Sequence, residues 1–306
     1  MSNKSFISKT KLDEKIGGTA FTLSSVISIL ASFIFSLMLV AIASSKNIDA
    51  DAISKNTAVI LISFLIGTVV CVSTIAICTI KFKLNLKPLY APTKSKNNVL
   101  VYVCTLLIAV GVIFGLSELN VYFLEFLNSL GLTPSSPSLP EFSVVNFILV
   151  IICVCLLPAI FEETLFRGII TYSLKGAGEV FAILVSGALF AFFHMNPAQT
   201  LYQFVFGGLF AFIALRAGNL LPVIIAHFLN NLFVVVNYYF LNINFVGTTK
   251  IVVTVVAILM LITGVSVMAI FVKTESKKEP INKLDFVKKA LIGIVVCVAM
   301  WLTNLV

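Results

Sequence analysis

Three groups of residues in an otherwise apolar chain have the types and spacings to do chemistry. The first is Glu162, Glu163 and Arg167, which follow an uncharged run from Phe142 to Ile160. The second is Phe190 with His194, and the third is His227 with Asn231; His194 and His227 are the chain's two histidines. Residues four apart share a helix face, while neighbours diverge by about 100°. Glu163 can therefore pair with Arg167, leaving Glu162 as an unpaired, hydrated or reactive carboxylate. The same spacing puts the Phe190 ring against His194 and points the His227 imidazole and the Asn231 carboxamide into one cavity, with Asn230 as a second candidate. A charge at a bilayer centre costs roughly 2.5 to 3.5 kcal/mol on insertion scales, so such residues face a cavity or a partner. Two histidines and a carboxylate are equipped for proton transfer, and as a set of three they are also a plausible zinc site.

The elements that must position these groups are membrane helices. The chain has 306 residues, 59% of them hydrophobic and 11% charged, with a mean hydropathy of +1.10. Soluble domains run near 45 to 50% apolar and about 25% charged. The expected fold is an all-α polytopic membrane protein, a bundle of about 8 to 9 transmembrane helices around an intramembrane cavity. Apolar runs cover residues 19–45, 57–80, 99–116, 142–174, 179–195, 200–215, 221–241, 251–272 and 290–306, the last of marginal length. The fourth run is too long for a hydrocarbon core of about 30 Å, and Pro158 is its expected kink. Gly111 and Gly115 in the third run have a small-xxx-small spacing that lets another helix approach.

Between the runs, lysines mark one side. The segment 81–98 holds Lys81, Lys83, Lys87, Lys94 and Lys96 with no acid, and residues 273–289 are lysine-rich again. The segment 117–141 carries Glu118, Glu125 and Glu141 with no base, and reads as an external loop with a turn-rich stretch over 133–140. This pattern predicts a cytoplasmic N-terminus, with Lys4, Lys9 and Lys11 inside. The net charge of +8 is thus a topology signal, and no nucleic-acid partner is expected. Cys71, Cys78, Cys104, Cys153, Cys155 and Cys297 all fall in apolar runs, without disulfide or zinc-ligand spacing. The chain divides into residues 1–141, an N-terminal cytoplasmic segment with helices 1–3; residues 142–241, a core of helices 4–7 with all the reactive groups; and residues 242–306, helices 8–9.

Depth gives an independent check. Counting ~1.5 Å per residue from the turns at 176 and 218, Glu162 lies about 21 Å deep, Asn231 about 19, His227 about 13 and His194 about 27. They straddle one level, so a single site is geometrically feasible.

Glu-Glu-x-x-x-Arg, Phe-x-x-x-His and His-x-x-x-Asn, in this order in successive membrane helices, resemble the CPBP family of intramembrane proteases, which comprises CAAX prenyl protease 2 and its bacterial Abi-type relatives, some tied to bacteriocin immunity. The resemblance covers residues 142–241, with every motif position intact. It implies that Glu162 is a general base activating a water with His194, and that His227 and Asn231 stabilise the oxyanion of the tetrahedral intermediate. Glu163, Arg167 and Phe190 would support them. No cofactor is favoured. Zinc held by Glu162, His194 and His227 is the rival, opposed by the lack of an H-E-x-x-H pair on one helix and by Asn231, a poor zinc ligand.

The expected partner is a membrane-associated peptide or protein, lipidated or not, within the lipid bilayer. Lysine-rich, arginine-poor usage points to a bacterial, multi-pass plasma-membrane protein. A non-catalytic immunity or scaffold protein of the same fold is one alternative. A proton-coupled transporter is another, disfavoured because the polar residues gather in one part of the chain rather than in paired repeats.

Overall fold

The computed structural model describes residues 12–91, 98–134, 138–274 and 281–305. Lys4, Lys9, Lys11, Lys94, Lys96, Lys277 and Lys278, and positions 135–137 of the turn-rich stretch, lie outside the described residues. Among those described, the secondary structure is helical with no strand. We number the main helices α1 (Glu14–Lys46), α2 (Thr57–Phe82), α3 (Asn98–Gly115), α4 (Ser117–Ser129), α5 (Val144–Ala177), α6 (Glu179–Phe193), α7 (Thr200–Ala217), α8 (Leu221–Leu241), α9 (Gly247–Phe271) and α10 (Lys283–Thr303). Among the described residues, eight runs are long and apolar enough to cross a membrane, with α3 and α4 counted together, and α6 is a shorter apolar helix. The protein is a polytopic all-α bundle.

Polar caps set the helix ends. The Asp13 side chain accepts from the Ile16 N–H at 2.9 Å to start α1, and Ser143 Oγ accepts from the Asn146 N–H at 3.1 Å to start α5. Such caps satisfy amides that have no partner within the helix. Gly218, at φ 67°, closes α7 in the left-handed conformation that favours glycine.

The expected close approach at Gly111 is realised between α3 and α9. A Cβ there would lie 2.6 Å from Leu261 Cβ and 2.8 Å from the Ala257 carbonyl oxygen. The reading of 117–141 as a loop needs correction, because its first half is α4. Apolar residues at Leu116, Leu119, Phe123 and Leu127 recur at helical spacing, and α4 packs against α7. Its Glu118 pairs with Lys250 of α9.

Helix α5 lies at the centre, in contact with α1, α2, α6, α7 and α8. It runs from Val144 to Ala177 as one helical segment through Pro158, the expected kink, with the hydrogen-bond register changing on both sides of it. Ile151–Leu156 and Thr164–Thr171 are π-helical, on either side of an α-helical stretch Leu157–Glu163. Single hydrogen bonds lock α5 to its neighbours: Tyr172 Oη donates to the Ala214 carbonyl at 2.8 Å, and Thr171 Oγ1 lies 2.7 Å from Ser186 Oγ. From the turn Lys87–Tyr90, Tyr90 bonds Thr164, and the Leu89 carbonyl accepts from the Leu220 N–H at 2.8 Å. At this same end of α7, Arg216 binds both oxygens of Glu179 at 2.5 and 2.7 Å and the Val272 carbonyl at 2.8 Å, tying together α6, α7 and the end of α9.

Candidate active site

Glu162 and Glu163 end the α-helical stretch between the two π-helical ones. Such widened turns are frequent at functional sites. Glu163 and Arg167 are fully buried and bonded, Arg167 Nη1 donating to Glu163 Oε1 at 2.8 Å, as their spacing predicts. A second contact was not legible from spacing: His227 Nδ1 lies 2.8 Å from the same oxygen. Since a carboxylate accepts, Nδ1 carries the proton, and the ring directs Nε2 away from Glu163.

Arg167 is held on its other side by α7. Its Nη2 donates to the Gly207 carbonyl at 3.2 Å, and the guanidinium lies 4.3 Å from the centre of the Phe190 ring. That geometry depends on a close α6–α7 approach, because a Cβ on Gly207 would lie 3.0 Å from Phe190 Cβ and 3.1 Å from Gly187 Cα. Phe190 therefore serves both charged and aromatic neighbours: its ring meets His194 edge-on, with centroids 4.7 Å apart.

His194 sits just past the last turn of α6, where carbonyls lack helical partners. Its Nδ1 lies 2.8 Å from the Phe190 carbonyl oxygen, which can only accept, so in the neutral ring Nε2 bears the lone pair. On α8, Asn231 Nδ2 donates to the Val154 carbonyl at 2.9 Å. Val154 lies in the π-helical stretch Ile151–Leu156. A further chain steadies the amide: Tyr202 Oη donates to Asn230 Oδ1 at 2.7 Å, and Asn230 Nδ2 to Asn231 Oδ1 at 3.1 Å.

Glu162, His194, His227 and Asn231 all line one cavity of about 800 Å³, so the structure brings together the four residues singled out in the sequence. Glu163 and Arg167 lie behind it and support His227. Asn230, Tyr202, Gln203 and Asn120 also line it. Of these, sequence reasoning had marked Asn230 alone; Gln203 was detectable as a polar residue in an apolar helix, whereas Asn120 lay in the supposed loop. Among the described residues no three His, Cys, Asp or Glu side chains are grouped closely enough to hold a metal ion. All six cysteines are free and buried.

The fold and cavity define a class: a multi-pass helical membrane protein with a glutamate and two histidines gathered on one internal cavity. The family model described as Type II CAAX prenyl endopeptidase Rce1-like matches residues 144–233, from the start of α5 into α8, and supports a CPBP-family intramembrane protease. No curated protein and no solved structure matches the chain.

Proposed function

We propose that the protein is an intramembrane endopeptidase that hydrolyses a peptide bond of a membrane-associated protein or peptide with glutamate-activated water. The observation that carries this reading is the convergence of Glu162, His194, His227 and Asn231 on one cavity within a family-matched segment. Glu162 takes a proton from a water that also hydrogen-bonds His194 Nε2, and the hydroxide attacks the scissile carbonyl carbon. The carbonyl π electrons move to oxygen. A doubly protonated His227, its Nδ1–H on Glu163, offers Nε2–H to this oxyanion, and the second amide hydrogen of Asn231 offers another. With that imidazolium, Glu162, Glu163, Arg167 and His227 sum to zero charge, which suits a membrane interior. Collapse of the intermediate breaks the C–N bond, and Glu162 returns its proton to the leaving amine.

No step of this reading is routed through a metal. The test is a cleavage assay of purified protein in detergent micelles against a pooled peptide library, read by mass spectrometry. Wild type should generate new termini that Glu162→Gln does not. Equal product from both would overturn the reading.

A further inference from the structure

We infer that the cavity wall built by α4 and α7 is a main-chain clamp, holding an extended apolar stretch of substrate peptide through the carboxamides of Asn120 and Gln203. The inference rests on the endopeptidase reading for the identity of its occupant. It begins from a contrast among carboxamides lining the same cavity. Asn230 and Asn231 are bonded to Tyr202, to each other and to Val154, and Asn237 Oδ1 accepts from the Ile243 N–H at 2.8 Å. Asn120 Oδ1 and Gln203 Oε1 are buried and have no hydrogen-bond partner among the described residues. Leaving such an oxygen unpaired is costly where water is scarce, so two of them on one cavity need a reason.

The two sit on helices that touch, α4 packing against α7 and against the turn Pro197–Gln199 that precedes it. A carboxamide carries an acceptor and two donors on adjacent atoms, the complement of a peptide group, and its terminal torsion is soft enough to present either side. An extended peptide brings unpaired N–H and C=O groups into a membrane, where each must find a partner. The wall offers no charged side chain of its own to select a substrate side chain: among the described lining residues, Glu162 and the two histidines are the ones that can carry charge near neutral pH. Main-chain recognition with little side-chain discrimination is what this chemistry provides.

The test uses a dansyl-labelled, end-capped Leu/Ala hexapeptide amide, with binding measured by fluorescence to full-length Glu162→Gln protein in micelles, so that turnover does not interfere. Adding Gln203→Leu or Asn120→Leu should weaken binding about 3- to 10-fold each, the effect of one net hydrogen bond. A peptide methylated on alternate backbone nitrogens should bind Glu162→Gln protein more weakly, with little further loss on adding Gln203→Leu, because both changes delete the same bond. Gln203→Met, nearly isosteric, gives the same reading if the leucine variant does not elute as a folded species. Unchanged affinity in both the Gln203 and Asn120 variants, fully additive losses, or no binding of the capped peptide at about 1 mM would each overturn the clamp. Its failure is separable from that of the catalytic reading: a Glu162→Gln protein that still cleaves removes the base but leaves the binding result standing, and binding indifferent to Gln203 and Asn120 removes the clamp but not the protease.

Discussion

Behind His227, ionised groups meet in a dry network: Glu163 Oε1 accepts from both Arg167 and His227, and Arg167 also bonds Gly207 and faces Phe190. On the α4–α7 wall, Asn120 and Gln203 have neutral side chains and buried oxygens without hydrogen-bond partners among the described residues. The difference separates two jobs. Groups tied to one another hold a geometry, since moving any of them strands the others, even though Glu163 Oε2 and Arg167 Nε are also without partners among the described residues. Groups left unbonded can change partners when a molecule enters. Glu162 and Glu163 divide along the same line one residue apart, because helical geometry aims the first at the cavity and the second at Arg167.

The largest expected effect falls on the cavity-facing glutamate. Glu162→Gln should lower cleavage by about 10²- to 10⁴-fold, the usual worth of a positioned base, while thermal unfolding stays near that of wild type. Retained turnover would break the division of roles between the two glutamates. Next comes the dry network. Arg167→Ala leaves Glu163 buried without its cation, a change that costs about 3 to 5 kcal/mol where one partner of a buried pair is removed. Folded yield and melting temperature should therefore fall together with activity. If Arg167→Ala melts like wild type, the network is not what holds His227.

How far these roles could be read from sequence follows the range of the interactions. The Glu163–Arg167 pair, the Phe190–His194 contact and the α3–α9 approach at Gly111 come from spacing along one helix, and spacing is visible in a sequence. Convergence of the four cavity residues could be estimated from depth, because each helix advances by a fixed rise. The bond between His227 and Glu163 joins residues on α5 and α8, and so does the Asn231–Val154 bond, so both require knowing which helices lie side by side. Asn120 was hidden by composition: acidic residues and the turn-rich stretch after it made the whole segment resemble a loop, although its first part has helical periodicity. The uninterrupted path of α5 past Pro158 was also hidden, since π-helical widening depends on hydrogen-bond register rather than residue type.

Asn231 tests whether one residue can belong to both regions. Its Nδ2 fixes Val154, yet its side chain lines the cavity. Asn231→Ala should reduce the catalytic rate by about 10²- to 10³-fold, as loss of an oxyanion donor does, with a modest fall in melting temperature from the unpaired Val154 carbonyl. Metal content should not change, and wild-type activity should survive strong chelator. About one zinc per active chain by elemental analysis, with activity lost in chelator and restored by zinc, would replace the glutamate-only mechanism with a metal one.

The smallest effect is the sharpest on the comparison itself. Tyr202→Phe keeps the ring, which stacks on Phe206 with centroids 5.9 Å apart, and deletes the hydroxyl that donates to Asn230 Oδ1. Asn230 then has one less restraint on the carboxamide that holds Asn231. A neutral hydrogen bond is worth about 0.5 to 1.5 kcal/mol net, so the expected loss is about 2- to 10-fold. If Tyr202 works through Asn230 and Asn231, that loss appears in kcat with KM nearly constant, because it loosens a group needed in the transition state. Gln203→Leu, one position along α7, should do the reverse, raising KM with kcat nearly constant, because its carboxamide holds substrate and transition state alike. Equal kcat and KM effects from both substitutions would mean that the wall and the supporting network are not separate devices.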